Sequence, residues 1–455
     1  MGTEPNRRLA DLMAEAGMSN KGLARRVRDV AIRHGVQVGT THVAVQRWLN
    51  GSGIQAQTAG FLAEALSDKM RRKVGAADLG FPGMTTTVAP SGEAYAGSLP
   101  EALRSLDELA GHEMAGATSA LLVPDSSIDA AMLSWLVSRP DGLRVNAPTS
   151  RRVGMRDVAA VRTAADMFMR LDFLYGGGHG HRALRHYFRH EVLPLLDASY
   201  SEKVGSCLFS AAAEISQLLG WTAYDSGQHA LADRYLLSTL RLTQVVDDRM
   251  MGARILSNMS HQANYLGHSA RAVRLSRASS EGGRGRSTPR AMALFAAHEA
   301  RALSLTQDRV GASRAMNEAE RFFDRAESGD DPDWLSYMDE AELVGELCHC
   351  FRDLKQGPDA VRFAERAVAL TDPQYARTLG FCRMVLAQSQ LLNGELEAAV
   401  ATAGLAVDGG DALQSARFQR YVSDFQRALA PHDKSPGVQQ FNEQVRRAMS
   451  RLDDE

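Results

Sequence analysis

His42, Gln46, Arg47 and Asn50 fall on the spacing of one helix face, and all four side chains carry hydrogen-bonding groups. In a short helix over residues 40–50 the opposite face holds Val45, Trp48 and Leu49 at i, i+3 and i+4, enough to seat it on a small core. The outward face, which also carries Val43, has no acid. Glutamine can make two hydrogen bonds to adenine and arginine two to guanine in the major groove. Gln46 and Arg47 are therefore the expected base readers, with Thr41, His42 and Asn50 beside them. Thr40 or Thr41 can cap the helix start, and Gly51 can close its last turn in the left-handed conformation. Lys21, Arg25 and Arg26, one helix earlier, are expected against phosphates.

Three more helices are predicted around this stretch. The first covers residues 7–16, with Leu9, Leu12 and Met13 inward and Gly17 at its end. The second starts at Ser19 and runs to His34, burying Leu23, Ala24, Val27, Val30 and Ala31. The last spans 58–73 through Phe61, Leu62, Ala65, Leu66 and Met70, and ends in a basic run that suits either phosphates or the helix dipole. Residues 1–80 hold 12 Lys and Arg against 7 Asp and Glu, whereas the rest of the chain holds 40 against 47. A basic module on an acidic body suits a polyanion, although a small bundle that binds protein shares the same outline. Ser19-x-x-x-Leu23-Ala24 and the close at Trp48-x-x-Gly51 resemble the repressor-type helix-turn-helix of the lambda Cro kind. Two features depart from it: Leu49 stands where an acid is usual, and residues 35–39 lengthen the link before the third helix.

The 455 residues are enough for two or three domains, and a hydrophobic fraction of 44% is enough for their cores. Cys207, Cys348, Cys350 and Cys382 are too sparse for a disulfide framework and fit a reducing compartment. The first ten residues are polar and no long apolar run follows, so the expected location is cytoplasmic, with no membrane partner. Residues 81–99, rich in Pro, Gly, Ser and Thr, form a linker. Residues 100–205 follow as a helical connecting segment that packs as a spacer on what comes next. The glycines at 176–180 suit a turn between helices, because no strand precedes them and no Lys-Ser/Thr pair follows as a phosphate loop requires. His179, His181, His186 and His190 lack a further metal-ligand partner and are expected as solvated surface residues. No nucleophile with a base, paired carboxylates or cofactor fingerprint stands out, so neither an enzyme nor a cofactor is expected.

From 206 to 430 a helix, a turn and a second helix recur, with turns at Gly227, Gly267, about Gln307, Gly357 and Gly394, and small residues at fixed offsets after them. Residues 431–455 are expected as a tail. The pattern is similar to the tetratricopeptide repeat, so the expected fold is all-α: a helix-turn-helix domain plus a helical-repeat superhelix. The superhelix groove would carry Gln217, Trp221, Tyr224 and Asp225 from the first unit and Arg254, Ser257, His261 and Asn264 from the second. Later units would add Arg301, His349, Arg352 and Gln388. Amides, rings and arginines together suit a peptide or a small amphiphilic effector. The whole order resembles actinomycete (Streptomyces-type) sporulation and antibiotic regulators, through Val45–Gly51, Leu171-Asp172 with Gly176–His179, Glu191–Leu196 and Trp221-x-x-Tyr224-Asp225-x-Gly227. The resemblance implies a cytoplasmic transcription factor, usually a repressor of development or secondary metabolism. A single small unit binds DNA weakly, so a homodimer on a double-stranded DNA operator is expected. A protein-interaction scaffold without base contacts is the alternative.

Overall fold

In the N-terminal unit four helices enclose one small core. The computed structural model describes residues 5–33, 38–70, 72, 74–81, 92–116, 122–143, 152–327, 329–408 and 415–454. Helix α1 (Arg7–Glu15) is capped by Asn6, whose Oδ1 accepts from the Leu9 amide at 3.1 Å while its Nδ2 donates to the Leu79 carbonyl at 2.8 Å. One side chain thus satisfies an orphan helix donor and fastens the two ends of the unit together. Helices α2 (Asn20–Arg33), α3 (His42–Leu49) and α4 (Ala56–Met70) complete the unit. Leu9, Leu23, Val27, Val45, Trp48, Phe61, Leu66, Leu79 and Phe81 share its core. Residues 35–37 of the lengthened link and the basic residues Arg71 and Lys73 lie outside the described residues. Arg72, from the same basic run, forms an ion pair with Glu15 at 2.7 Å.

The body consists of antiparallel helix pairs. They are α10 (Glu202–Asp225) with α11 (His229–Val245), α12 (Arg249–Tyr265) with α13 (Ser269–Gly283), and α14 (Pro289–Leu305) with α15 (Arg309–Asp324). Then follow α16 (Glu340–Asp353) with α17 (Gly357–Leu370), α18 (Ala376–Leu392) with α19 (Leu396–Asp408), and α20 (Ala416–Ala428) with α21 (Pro436–Asp454). Within the first five pairs the turn holds one residue at positive φ: Gly227, Gly267, Gln307, Lys355 or Gly394. The fourth turn is therefore centred on Lys355; Gly357, expected there, is already the first residue of α17. Five residues after each turn stands a fully buried alanine, at 232, 272, 312, 360 and 399. Seven further on, one more small residue is buried on the same face: Thr239, Ser279, Ala319, Ala367 or Ala406. These positions let the two helices of a pair approach closely. The final pair extends this order through residues expected as a tail: α21 buries Val438, Phe441 and Val445 against α19 and α20.

The described residues between 92 and 200 are integral to the body. They form α5 (Leu99–Met114), α6 (Asp125–Val137), α7 (Met155–Tyr175), α8 (Gly177–Tyr187) and, after a π-turn, α9 (Leu193–Leu196). Trp135 of α6 is fully buried in a slot between α12 and α13, where a Cβ on Gly252 or Gly282 would meet its ring at 2.3 or 2.2 Å. Its indole N–H donates to Thr243 at 3.1 Å. One hydrophobic core runs without a break from Leu106 to Leu354, straight across the expected boundary at 205. Of the glycine run, only Gly176 turns at positive φ; α8 starts at Gly177, which lies so close to α10 that a Cβ would sit 2.6 Å from the Thr222 carbonyl oxygen. His181 is consequently buried, bonded to Thr222 at 2.6 Å and Glu113 at 2.7 Å, whereas His179, His186 and His190 are exposed as expected. Among the described residues there is no strand, and no helix is long and apolar enough to cross a membrane.

Candidate functional site

Two places carry unusual polar chemistry. The first is the outer face of α3. Thr41 caps the helix by accepting from the Ala44 amide at 3.3 Å, Gly51 closes it at positive φ, and Val45 and Trp48 are buried beneath. His42, Val43, Gln46, Arg47 and Asn50 are all exposed. The Gln46 amide is held at both ends: its oxygen accepts from Asn20 of α2 at 2.9 Å and its nitrogen donates to Asn50 at 3.1 Å. Asn20 was not expected to take part; it fixes the α3 side chain from the preceding helix. Lys21 and Arg25 are exposed on α2, and Arg26 is half-buried.

The second is a chamber of about 150 Å³ at the centre of the body. It is walled by the first helices of the pairs and by α7, not left as an open groove. The closure is ionic. Asp225 at the end of α10, fully buried, accepts from Arg377 of α18 at 2.6 Å and from the Gly177 amide at 3.0 Å, and lies 3.8 Å from Arg417 of α20. Arg377 also reaches Asp172 of α7 at 3.7 Å. Helices far apart in the chain are thereby drawn around one centre, which narrows a groove into a partly enclosed chamber.

Registering the chain on its turn residues shows how the walls are built. Six residues before the turns stand Trp221, His261, Arg301 and His349; nine before stand Leu218, Asn258, His298, Glu346 and Val385, and all nine line the chamber. The two rows are three residues apart and so share a helix face. They are connected. Arg301 donates to both Glu346 oxygens, at 3.0 and 3.1 Å, and to His261 Nε2 at 2.9 Å. A guanidinium only donates, so His261 must accept at Nε2 and carry its proton on Nδ1, which donates to the Tyr224 hydroxyl at 3.1 Å. His298 accepts or donates to Ser257 at 2.6 Å and lies 4.0 Å from Glu346.

Burial and the surrounding charges set the protonation states. Burial, then Arg301, holds His261 well below its ordinary value, and His349 is lowered in the same way. Burial alone would raise Glu346, but Arg301 and His298 outweigh it and keep it ionised. Glu342 is pushed up to about 8, first by burial and then by Glu346 and Asp339. Asp172 rises to about 6, by burial against the pull of Arg377. Four arginines, Arg254, Arg301, Arg377 and Arg417, therefore face a centre in which Glu342 is neutral at pH 7. Arg301 and Arg377 have close carboxylate partners. Arg254, 6% exposed, is stacked on Trp334 at 4.2 Å and has no ion pair among the described residues; its Nε is unbonded. Arg417 is stacked on Phe381 at 4.4 Å with Nε and Nη1 unbonded.

A second recess of about 580 Å³ adjoins the chamber and shares Met169, Phe173, Tyr337, Glu342, Gly345, Thr378 and Cys382 with it. Gly345 sits mid-helix in α16, and a Cβ there would meet nothing within 4 Å.

Of the residues expected in the groove, Gln217, Trp221, Arg254, His261, Arg301 and His349 line the chamber. The other six stand behind it. Tyr224 and Ser257 hold His261 and His298, and Asp225 anchors the closure. Asn264 is buried without lining the cavity, and Arg352 turns to Asp353 at 2.6 Å and to Gln388 at 2.7 Å. Asp172, His298, Glu346, Arg377 and Arg417 were missed. His298 and Glu346 were detectable from the turn register. Arg377 and Arg417 come from the closing pairs, which only the ring geometry brings in. His261, His298 and Glu346 stand close enough to hold a metal ion, but the Arg301 guanidinium bonds to two of the three, so the cluster already holds a cation. All four cysteines are free thiols.

The comparisons with known proteins bear on the first unit. Residues 9–82 match the SP15 N-terminal domain. The matched span ends where the core of the four-helix unit ends, at Phe81. No curated protein matches the chain.

Proposed function

We propose that the chain is a DNA-binding transcriptional regulator whose body binds an effector and dimerises. The observation that carries this reading is the outer face of α3: exposed, without acids, and with Gln46 already positioned between Asn20 and Asn50. Preorganised amide and guanidinium groups on a helix of a basic unit suit base edges in a major groove. The recurrent turn and the small residues after it support a tetratricopeptide-like superhelix as the body, and the resemblance to actinomycete regulators favours a repressor of development or secondary metabolism in the cytoplasm. One such unit binds weakly, so two on one duplex are needed, and effector binding would act through their spacing. The enclosed centre favours a small molecule over an extended peptide. In this reading the chain performs no catalysis.

Selection of genomic fragments by the purified protein at two salt concentrations tests the proposal. Enrichment of a paired inverted repeat with strong salt dependence is the expected result. Arg47→Ala should weaken operator binding by about 1–3 kcal/mol without loss of thermal stability, because the side chain is exposed. An exposed apolar residue on the same face, Val43 at 54%, favours a second reading: a scaffold that binds a transcription partner. Unchanged DNA binding in Arg47→Ala, with a partner lost, would select it.

A further inference from the structure

We propose that the central chamber is a receptor for an organic carboxylate, with the acid head in the chamber and an apolar body in the adjoining recess. The proposal deepens the effector reading given above and names the effector's chemical class. A buried arginine without a counter-ion is costly, and the cost is removed when a ligand supplies the charge. Arg254 comes close to this: it is 6% exposed, with Nε unbonded and no ion pair among the described residues, and the Glu214 carboxyl, which acts on it at longer range, is itself pushed up to about 7 by burial. Arg417 adds two N–H groups without a hydrogen bond behind an aromatic stack, of which Nε is also 3.8 Å from Asp225. Guanidinium forks suit carboxylates, and the neutral carboxyl of Glu342 can donate a further hydrogen bond to one.

The space selects an organic acid over a bare inorganic anion. About 150 Å³ takes a group of roughly benzene size, and the adjoining 580 Å³ has Phe173, Leu174, Tyr337, Leu370 and Tyr375 on its walls for the apolar body, with Arg170, Asp339, Asp372 and Gln374 among its polar lining. Gly345 borders both spaces. Glycine in a helix interior is destabilising relative to alanine, and a Cβ on this one would meet nothing within 4 Å. Its remaining role is to leave the passage open. A metal at His261, His298 and Glu346 is disfavoured, because Arg301 stands among them.

Phenylpropionate, octanoate, their methyl esters, inorganic phosphate and zinc, each at about 10 mM except zinc at about 0.1 mM, would be tested on the purified full chain by thermal shift and calorimetry. The free acids should stabilise the protein and the esters should not. Arg254→Gln should weaken the acids at least about tenfold while the unliganded protein melts no earlier than the parent. Gly345→Leu should weaken them similarly with folding intact, which covers the case in which Arg254→Gln does not fold. Equal binding of acid and ester, stabilisation by phosphate or zinc alone, or no shift with any acid would overturn the proposal. Fragment selection on the same preparation separates the two readings: DNA binding without acid binding removes only the receptor, and acid binding without DNA binding removes only the regulator.

Discussion

Single residues in the chamber differ mainly in whether their charge has a partner. Glu346 and Arg301 satisfy one another, whereas Glu342, four residues earlier on the same helix, faces Glu346 and Asp339 and keeps its proton up to about 8. Arg301 from α14 and Arg417 from α20 pull the other way without cancelling the effect of burial. The folded protein thus retains a proton that the unfolded chain releases near 4.5, so stability falls as pH rises between those values and the full cost stands above pH 8. Glu342→Gln removes the cost. Its gain, on the order of 1–2 kcal/mol after discounting for the half-buried position, should be largest above pH 8 and vanish below pH 4.5 in urea titrations across that range. A pH-independent effect would mean that Glu342 is already ionised in the folded state.

At the scale of elements the repeated turn and the buried small residues decide the geometry. Ala232, Ala272, Ala312, Ala360 and Ala399 have no exposed surface, and each lies where the second helix of a pair crosses the first. Ala312→Leu should cost about 1–3 kcal/mol by overpacking α14 against α15, measured as a lower denaturation midpoint. The same change at exposed Ala183 on α8 should have little effect, and equal losses at the two sites would remove the packing argument. The turn residue itself is less restricted: Gln307 and Lys355 adopt positive φ as the glycines do, which is why a glycine search placed the fourth turn two residues late.

For the whole molecule the decisive contact is the buried carboxylate of Asp225, which joins α8, α10, α18 and α20. Asp225→Ala leaves Arg377 with only the more distant Asp172, and we expect a loss of about 3–5 kcal/mol together with opening of the ring. Limited proteolysis should then cut in α20 and α21 before it cuts in α12 or α14. Unchanged stability and cleavage would show that the ring is held by other contacts.

Much was decided by the sequence alone. Helix-forming composition, period and caps specified an all-helical chain, the α3 face with Val45 and Trp48 beneath and Gln46 and Arg47 above, and the succession of pairs from 206 onward. These are local properties, set by neighbours a few residues apart. What lay beyond reach depends on contacts more than a hundred residues apart. Asp225 with Arg377, Trp135 between Gly252 and Gly282, and His181 beneath α5 and α10 carry no local pattern that distinguishes them from surface residues. The expected spacer and tail became structural parts because their apolar faces are completed only by helices elsewhere in the chain. The groove became a chamber for the same physical reason: the pairs curve far enough for buried charges at the two ends to meet, and a charge removed from water must find its partner wherever the fold brings one.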